Sequence, residues 1–124
     1  MNIIKTSNAP EAIGPYSQAV ESNGFLFTSG QIPMQKDGNL VDGDVEAQTH
    51  QVFKNLKATL EAASLDLDDV IKVNIFISDM EEFSRINKVY GEYFNSHKPA
   101  RSCVQVARLP LDVKLELEVV ACMK

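Results

Sequence analysis

The chain has 124 residues, 44% hydrophobic and 23% charged, with a formal net charge of −5 at pH 7. That size predicts one domain over residues 1–124, and the acidic balance argues against nucleic acid as a partner. No apolar stretch approaches the ~20 residues of a membrane span, and Met1–Lys5 lacks the apolar run of a signal peptide.

Cys103 and Cys122 are too few for a secreted disulfide framework, so a cytoplasmic location without membrane association is expected. His50 and His97 stand apart from any Cys or His pattern with ligand spacing, and no metal is expected.

In chain order, Ala19–Asn23 and Phe25–Ser29 flank Asn23-Gly24, the dipeptide that suits a type I′ hairpin turn. Gln31–Gly43 reads as an irregular loop with turn chemistry at Lys36-Asp37-Gly38-Asn39. From Asp44 to Ala63, Thr49, Val52, Phe53, Leu56, Leu60 and Ala63 recur at helical spacing. Val70–Ser78 is β-branched and nearly continuously apolar, as in a central strand covered on both faces. Asp79 and Glu82 have the spacing of a capping box and open a second helix over Met80–Ser96, with Phe83, Ile86, Tyr90 and Phe94 as its buried stripe.

Two strands close the chain. In Pro99–Pro110, Arg101, Cys103 and Gln105 alternate with Ser102, Val104 and Val106, so the two sets face opposite ways. In Lys114–Val119, Glu116 and Glu118 alternate with Leu115, Leu117 and Val119. If these strands pair across Leu109–Val113, an arginine, a thiol and a carboxylate converge on one sheet face, a set suited to a small anionic substrate. Two helices cover only one face of such a sheet. The other face, expected to carry Arg101, Cys103, Gln105, Glu116 and Glu118, must be solvated or covered by another subunit.

The segment Pro99-Ala100-Arg101-Ser102-Cys103-Val104-Gln105-Val106-Ala107-Arg108-Leu109-Pro110 resembles the C-terminal signature of the Rid (reactive intermediate deaminase) family. Ile13-Gly14-Pro15-Tyr16-Ser17-Gln18-Ala19 and Thr28-Ser29-Gly30-Gln31-Ile32-Pro33 agree with it in order and rough spacing. The resemblance runs from Ala9 to Ala121. It implies a chorismate-mutase-like α+β fold: a mixed six-stranded sheet with two long helices on one face, in a homotrimer with clefts between subunits. It also implies hydrolysis of 2-imino acids, such as 2-iminobutanoate and 2-iminopropanoate, to 2-oxo acids and ammonia with no cofactor. The alternative is a regulatory protein that binds a small 2-oxo or amino acid and modulates a partner. An RNA-directed activity reported for certain relatives fits the acidic balance poorly.

Arg101 is then a bidentate clamp for a substrate carboxylate, or else a structural partner of Glu116 or Glu118. Cys103 invites a nucleophile reading, but no histidine lies close in sequence; the resemblance makes it a pocket-lining residue whose backbone helps hold substrate. Glu116 matches the position assigned to the hydrolytic water, with Glu118 as the alternative of the same strand parity. Tyr16 would close over the ligand, or be an ordinary half-buried aromatic. Ser29 and Gly30, followed by Gln31, would bring backbone close to substrate, or form a strand-exit turn. Asn87 and Gln18 would support pocket geometry, while Arg108 and Lys114 read as solvated charges. Many family members carry a glutamate where this chain has Gln105.

Overall fold

The computed structural model describes residues 1–124. Its strands are β1 (Asn2–Ile4), β2 (Ala19–Ser22), β3 (Phe25–Thr28), β4 (Val70–Ile77), β5 (Ala100–Gln105) and β6 (Leu115–Cys122). Helix α1 (Val45–Ala62) precedes β4, and α2 (Phe83–Tyr93) joins β4 to β5. The strands form one six-stranded sheet in the order β1-β2-β3-β6-β4-β5. Only the β4–β5 pair is parallel; the other neighbours run antiparallel.

Local chemistry accounts for most of these elements. Asn23 (φ 53°) and Gly24 (φ 81°) form the β2–β3 turn, in the left-handed region that this pair tolerates. The Asp44 carboxylate accepts the Ala47 N–H at 2.9 Å and caps α1. The predicted α1 stripe, Thr49 to Ala63, is buried throughout.

The second helix begins differently from the expectation. Met80–Glu82 make a 3₁₀ turn and the α-helix starts at Phe83. Asp79 accepts the Glu81 N–H, but Glu82 does not return to complete a box. It is drawn instead to Lys114 and Arg85, at 3.3 and 3.5 Å.

The core lies between the helices and one sheet face. Phe53 and Leu56 of α1, and Ile86 and Tyr90 of α2, meet Val73, Ile75, Leu115, Leu117 and Val119 of the sheet. Phe53 stacks on Tyr93 at 4.3 Å between ring centroids and meets Tyr90 and Phe94 edge-on. Each fully buried side chain of this kind contributes ~1.5–3 kcal/mol.

Two expectations are corrected. First, β5 and β6 do not pair, because β4 lies between them. A helix joins β4 to β5, and such a crossover lays the second strand parallel beside the first. The Leu109–Val113 connection is no tight hairpin: it holds a 3₁₀ turn with Leu111 and Asp112 at positive φ. Second, β4 is central, yet the helices cover only one of its faces; Lys72, Asn74 and Phe76 on the other are half-buried. That second face also carries Ile3, Val20, Phe27, Val120 and Val104, with Phe27 and Val104 47% and 48% exposed.

One buried amide ties α1 to the segment after β3. Asn55 donates to the Ile32 and Met34 carbonyls at 3.0 and 2.8 Å, and its Oδ1 accepts from Gln51. Asn55→Asp keeps the shape but removes both donations. It should lower stability by ~1–3 kcal/mol, read as a lower urea midpoint at fixed protein concentration. An unchanged midpoint would show that the loop is held by other contacts.

Candidate functional site

Register decides where the candidate residues point. Arg101, Cys103 and Gln105 pair with Val73, Ile75 and Ile77, whose side chains are buried beneath the helices. They therefore lie on the helix-covered side, along the outer strand. Glu116 and Glu118 pair with Phe76 and Asn74, which pair in turn with Val104 and Ser102, all on the bare side. The expected convergence of arginine, thiol and carboxylate on one face is thus overturned. With β4 between the strands, parity sets them on opposite faces, and the two groups of candidates form separate half-sites.

The first half-site is built by β5 and α2. Phe83, Asn87 and Tyr90 recur every three or four residues, so they share one side of α2. Arg101 lies against that side. Its Nη1 donates to Asn87 Oδ1 at 2.7 Å, and its Cζ sits 4.7 Å from the Tyr90 ring centroid and 5.5 Å from that of Phe83. The guanidinium is exposed and makes no ion pair, so the structural-partner alternative with Glu116 or Glu118 does not hold.

Beside it, burial pushes the Cys103 thiol up in pKa, with Arg101 pulling weakly the other way. A thiol so shifted is a poor nucleophile at neutral pH. The two histidines are engaged elsewhere, His50 with the Tyr93 hydroxyl and His97 with the Val70 carbonyl. Gln105 accepts the Met80 N–H at 2.7 Å and holds the 3₁₀ turn ahead of α2. The Phe83–Tyr90 platform was missed in the sequence. Its signal was the helical spacing, read there as core alone.

The second half-site holds Ser29, Gly30, Gln31 and Glu116, with the segment that carries Tyr16 tied to its edge. The Ser29 hydroxyl donates to the Ser17 carbonyl and its N–H to the Gln18 carbonyl at 3.0 Å, stitching the Tyr16 segment to the end of β3. Gln31 exchanges backbone hydrogen bonds with Leu117, the residue after Glu116, at 2.7 and 3.0 Å. Its side chain is buried and donates to the Ser29 carbonyl at 3.0 Å.

Gly30 leaves room for the Glu116 side chain. A Cβ there would sit 2.6 Å from Glu116 Cδ and 2.8 Å from its Cγ, so the carboxylate rests where a side chain would stand. Tyr16 is half exposed, its hydroxyl accepting weakly from the Ile13 N–H at 3.4 Å. Gln18 is turned away, bonding Thr6 and Pro10 to hold the N-terminal segment. Arg108 and Lys114 are spent on Asp112 and Glu82, at 2.7 and 3.3 Å.

Glu116 is the perturbed acid of the site. Burial, reinforced by the Glu118 charge, raises its carboxyl above the ordinary range. Glu118 itself accepts from Asn74 at 3.4 Å. No three His, Cys, Asp or Glu side chains lie together as a metal-holding group. One concavity lies under the N-terminal segment and is lined in part by Tyr16, and another runs along α1 beside His50 and Lys54; neither contains Arg101 or Glu116.

The cause of the Glu116 shift can be checked by carbon NMR of the side-chain carboxyl. Its midpoint should fall above the usual ~4.3 of a glutamate. Because burial outweighs the Glu118 charge, Glu118→Gln should lower that midpoint without restoring the usual value. Full restoration would make charge, not burial, the cause.

Against known proteins, residues 6–123 match the family model described as Endoribonuclease L-PSP. The chain is 53% identical over 120 residues to the RutC family protein PH0854 of Pyrococcus horikoshii, covering 96% of this chain and 95% of that one. It is 48% identical over 122 residues to the Escherichia coli K12 protein named "Putative reactive intermediate deaminase TdcF", covering 96% and 95%. The crystal structure of E. coli TdcF with bound serine superposes with a TM-score of 0.95 at 46% identity, over the whole of both chains. That of the Rid family protein YyfA from Yersinia pestis gives 0.95 at 47% identity, over 98% of each. No helix is long and apolar enough to cross a membrane. The chain accordingly belongs to the Endoribonuclease L-PSP family, in which the Rid proteins and the reactive intermediate deaminases stand.

Proposed function

We propose that this protein hydrolyses short 2-imino acids to 2-oxo acids and ammonia, in clefts formed between copies of the chain in a homotrimer. The observation that carries this reading is Arg101: an exposed guanidinium backed by two aromatic rings, anchored by one bond to Asn87 and paired with no acid. Its remaining N–H groups suit the planar fork of a carboxylate. The serine held by the relative TdcF is a small molecule of that class.

Substrate bound by Arg101 would present its C=N carbon to a water held by Glu116. The carboxylate takes one proton from the water as its oxygen bonds to the carbon of the protonated imine, whose C=N π pair moves onto nitrogen, giving a neutral carbinolamine. The carboxyl returns that proton to nitrogen, and as the C–N bond breaks the carbinolamine's hydroxyl proton passes back to the carboxylate, so that ammonia leaves and the carbonyl forms. Cys103 lines the pocket, Ser29, Gly30 and Gln31 supply its backbone wall, and Tyr16 covers it. Gly30 seats the Glu116 carboxylate, so the glycine serves the catalytic group as well as the substrate.

The placement of the two half-sites on opposite faces supports a cleft shared between two copies. Arg101 and Glu116 cannot share a substrate across the sheet that separates them, so the Arg101 half of one protomer would meet the Glu116 half of its neighbour. The bare face, with Phe27, Val20, Val120 and Val104, offers the apolar surface for that contact.

Three outcomes are expected. The protein should accelerate release of 2-oxo acid from imines generated in situ by a dehydratase or an amino-acid oxidase. A rate equal to the buffer control, with 2-oxo acid still bound, would favour the ligand-sensing alternative. Glu116→Ala and Gly30→Ala should each lose ~10²-fold or more in kcat, and Arg101→Lys should fail through KM.

The third outcome tests the shared cleft. Arg101→Ala and Glu116→Ala subunits, each inactive alone, should regain roughly a quarter of wild-type activity after mixing and exchange, as random assembly of symmetric clefts requires. No recovery in demonstrably mixed oligomers would place the site within one chain.

A further inference from the structure

We propose that Tyr90 is a positioning residue for the Arg101 clamp: its ring holds the guanidinium flat, and its hydroxyl is the acceptor the guanidinium turns to when a carboxylate binds. The inference rests on the reading of Arg101 as that clamp. Tyr90 is only 8% exposed, and its ring lies 4.7 Å from Arg101 Cζ. A guanidinium over an aromatic face is held electrostatically and loses little by desolvation. Phe83 extends the same surface at 5.5 Å, and Asn87, between them on α2, takes one N–H.

The unusual feature is the hydroxyl. Tyr90 Oη is sealed from solvent and makes no well-formed hydrogen bond, a state that buried polar atoms rarely occupy. Burial raises the phenol's pKa, while the Arg101 charge and a hydrogen-bonding contact with the same side chain draw it back, so the hydroxyl and the guanidinium already face each other. The well-formed bond of the guanidinium goes to Asn87. A small rotation of the guanidinium, drawn by a carboxylate at its outer edge, brings an N–H squarely onto Oη. The buried oxygen then gains a fully aligned partner. A tyrosine here therefore adds affinity that phenylalanine cannot.

The test uses the full-length protein, with 2-oxobutanoate as the probe, titrated calorimetrically, and imine hydrolysis measured in parallel. Tyr90→Phe keeps the ring and should weaken binding ~3- to 10-fold; Tyr90→Leu removes the platform and should weaken it ~10- to 100-fold. Both should raise KM while kcat stays within ~2-fold of wild type, because ground-state and transition-state binding are lost together. Wild-type affinity in Tyr90→Phe overturns the hydroxyl's role, and it does so even if Tyr90→Leu fails to fold. Altered melting temperature with unaltered affinity would make Tyr90 a packing residue only, and overturns the proposal. If wild type binds 2-oxobutanoate but hydrolyses no imine, the deaminase reading fails while the Tyr90 comparison still decides this one. If wild type does not bind the acid, both fall.

Discussion

Two amphipathic helices meet a sheet that is wide enough to need more cover than they supply, and they lie on the same side of it. The stripes of α1 and α2 converge on Val73, Ile75, Leu115, Leu117 and Val119, and the aromatic contacts of Phe53 lock the helices to each other. This removes one face of β4 and β6 from solvent and leaves the other face of the same strands bare. Alternation along each strand then does the rest. Along β6 and from Val73 to Ile77 of β4, the residues of one parity are core, and their neighbours, Glu116 and Glu118 among them, are turned to the other face.

That separation has an electrostatic consequence. A guanidinium and a carboxylate that met inside one protomer would neutralise each other and leave neither for a substrate. Here Arg101 is held by rings and a neutral amide, and Glu116 is pressed against Gly30 with a second carboxylate nearby. Each group keeps unspent capacity. Under the proposed function, that capacity is drawn on only where two copies meet, which couples assembly to activity without any moving part.

Much of the arrangement was legible in the chain. The Asn23-Gly24 turn, the α1 stripe from Thr49 to Ala63 and the alternation of β6 are local signals, set by positive φ and by the periods of helix and strand. The start of α2 was misread for a physical reason. Glu82 had a better partner in Lys114, which is remote in sequence, than in its own backbone cap. Likewise Phe83 and Tyr90 read as core by spacing, and only Arg101's position shows that their outer side is a platform.

The sequence by itself determined which residues share a face within each strand and helix, because side-chain period depends on backbone geometry alone. It also carried the motifs that mark the family. What it could not determine was which strands are neighbours. β4 lies between β5 and β6: the helical crossover lets β5 pair parallel with it on one edge, while β6 pairs antiparallel over a long register on the opposite edge. That choice depends on contacts far apart in the chain, and only tertiary structure could put Arg101 on one side of the sheet and Glu116 on the other.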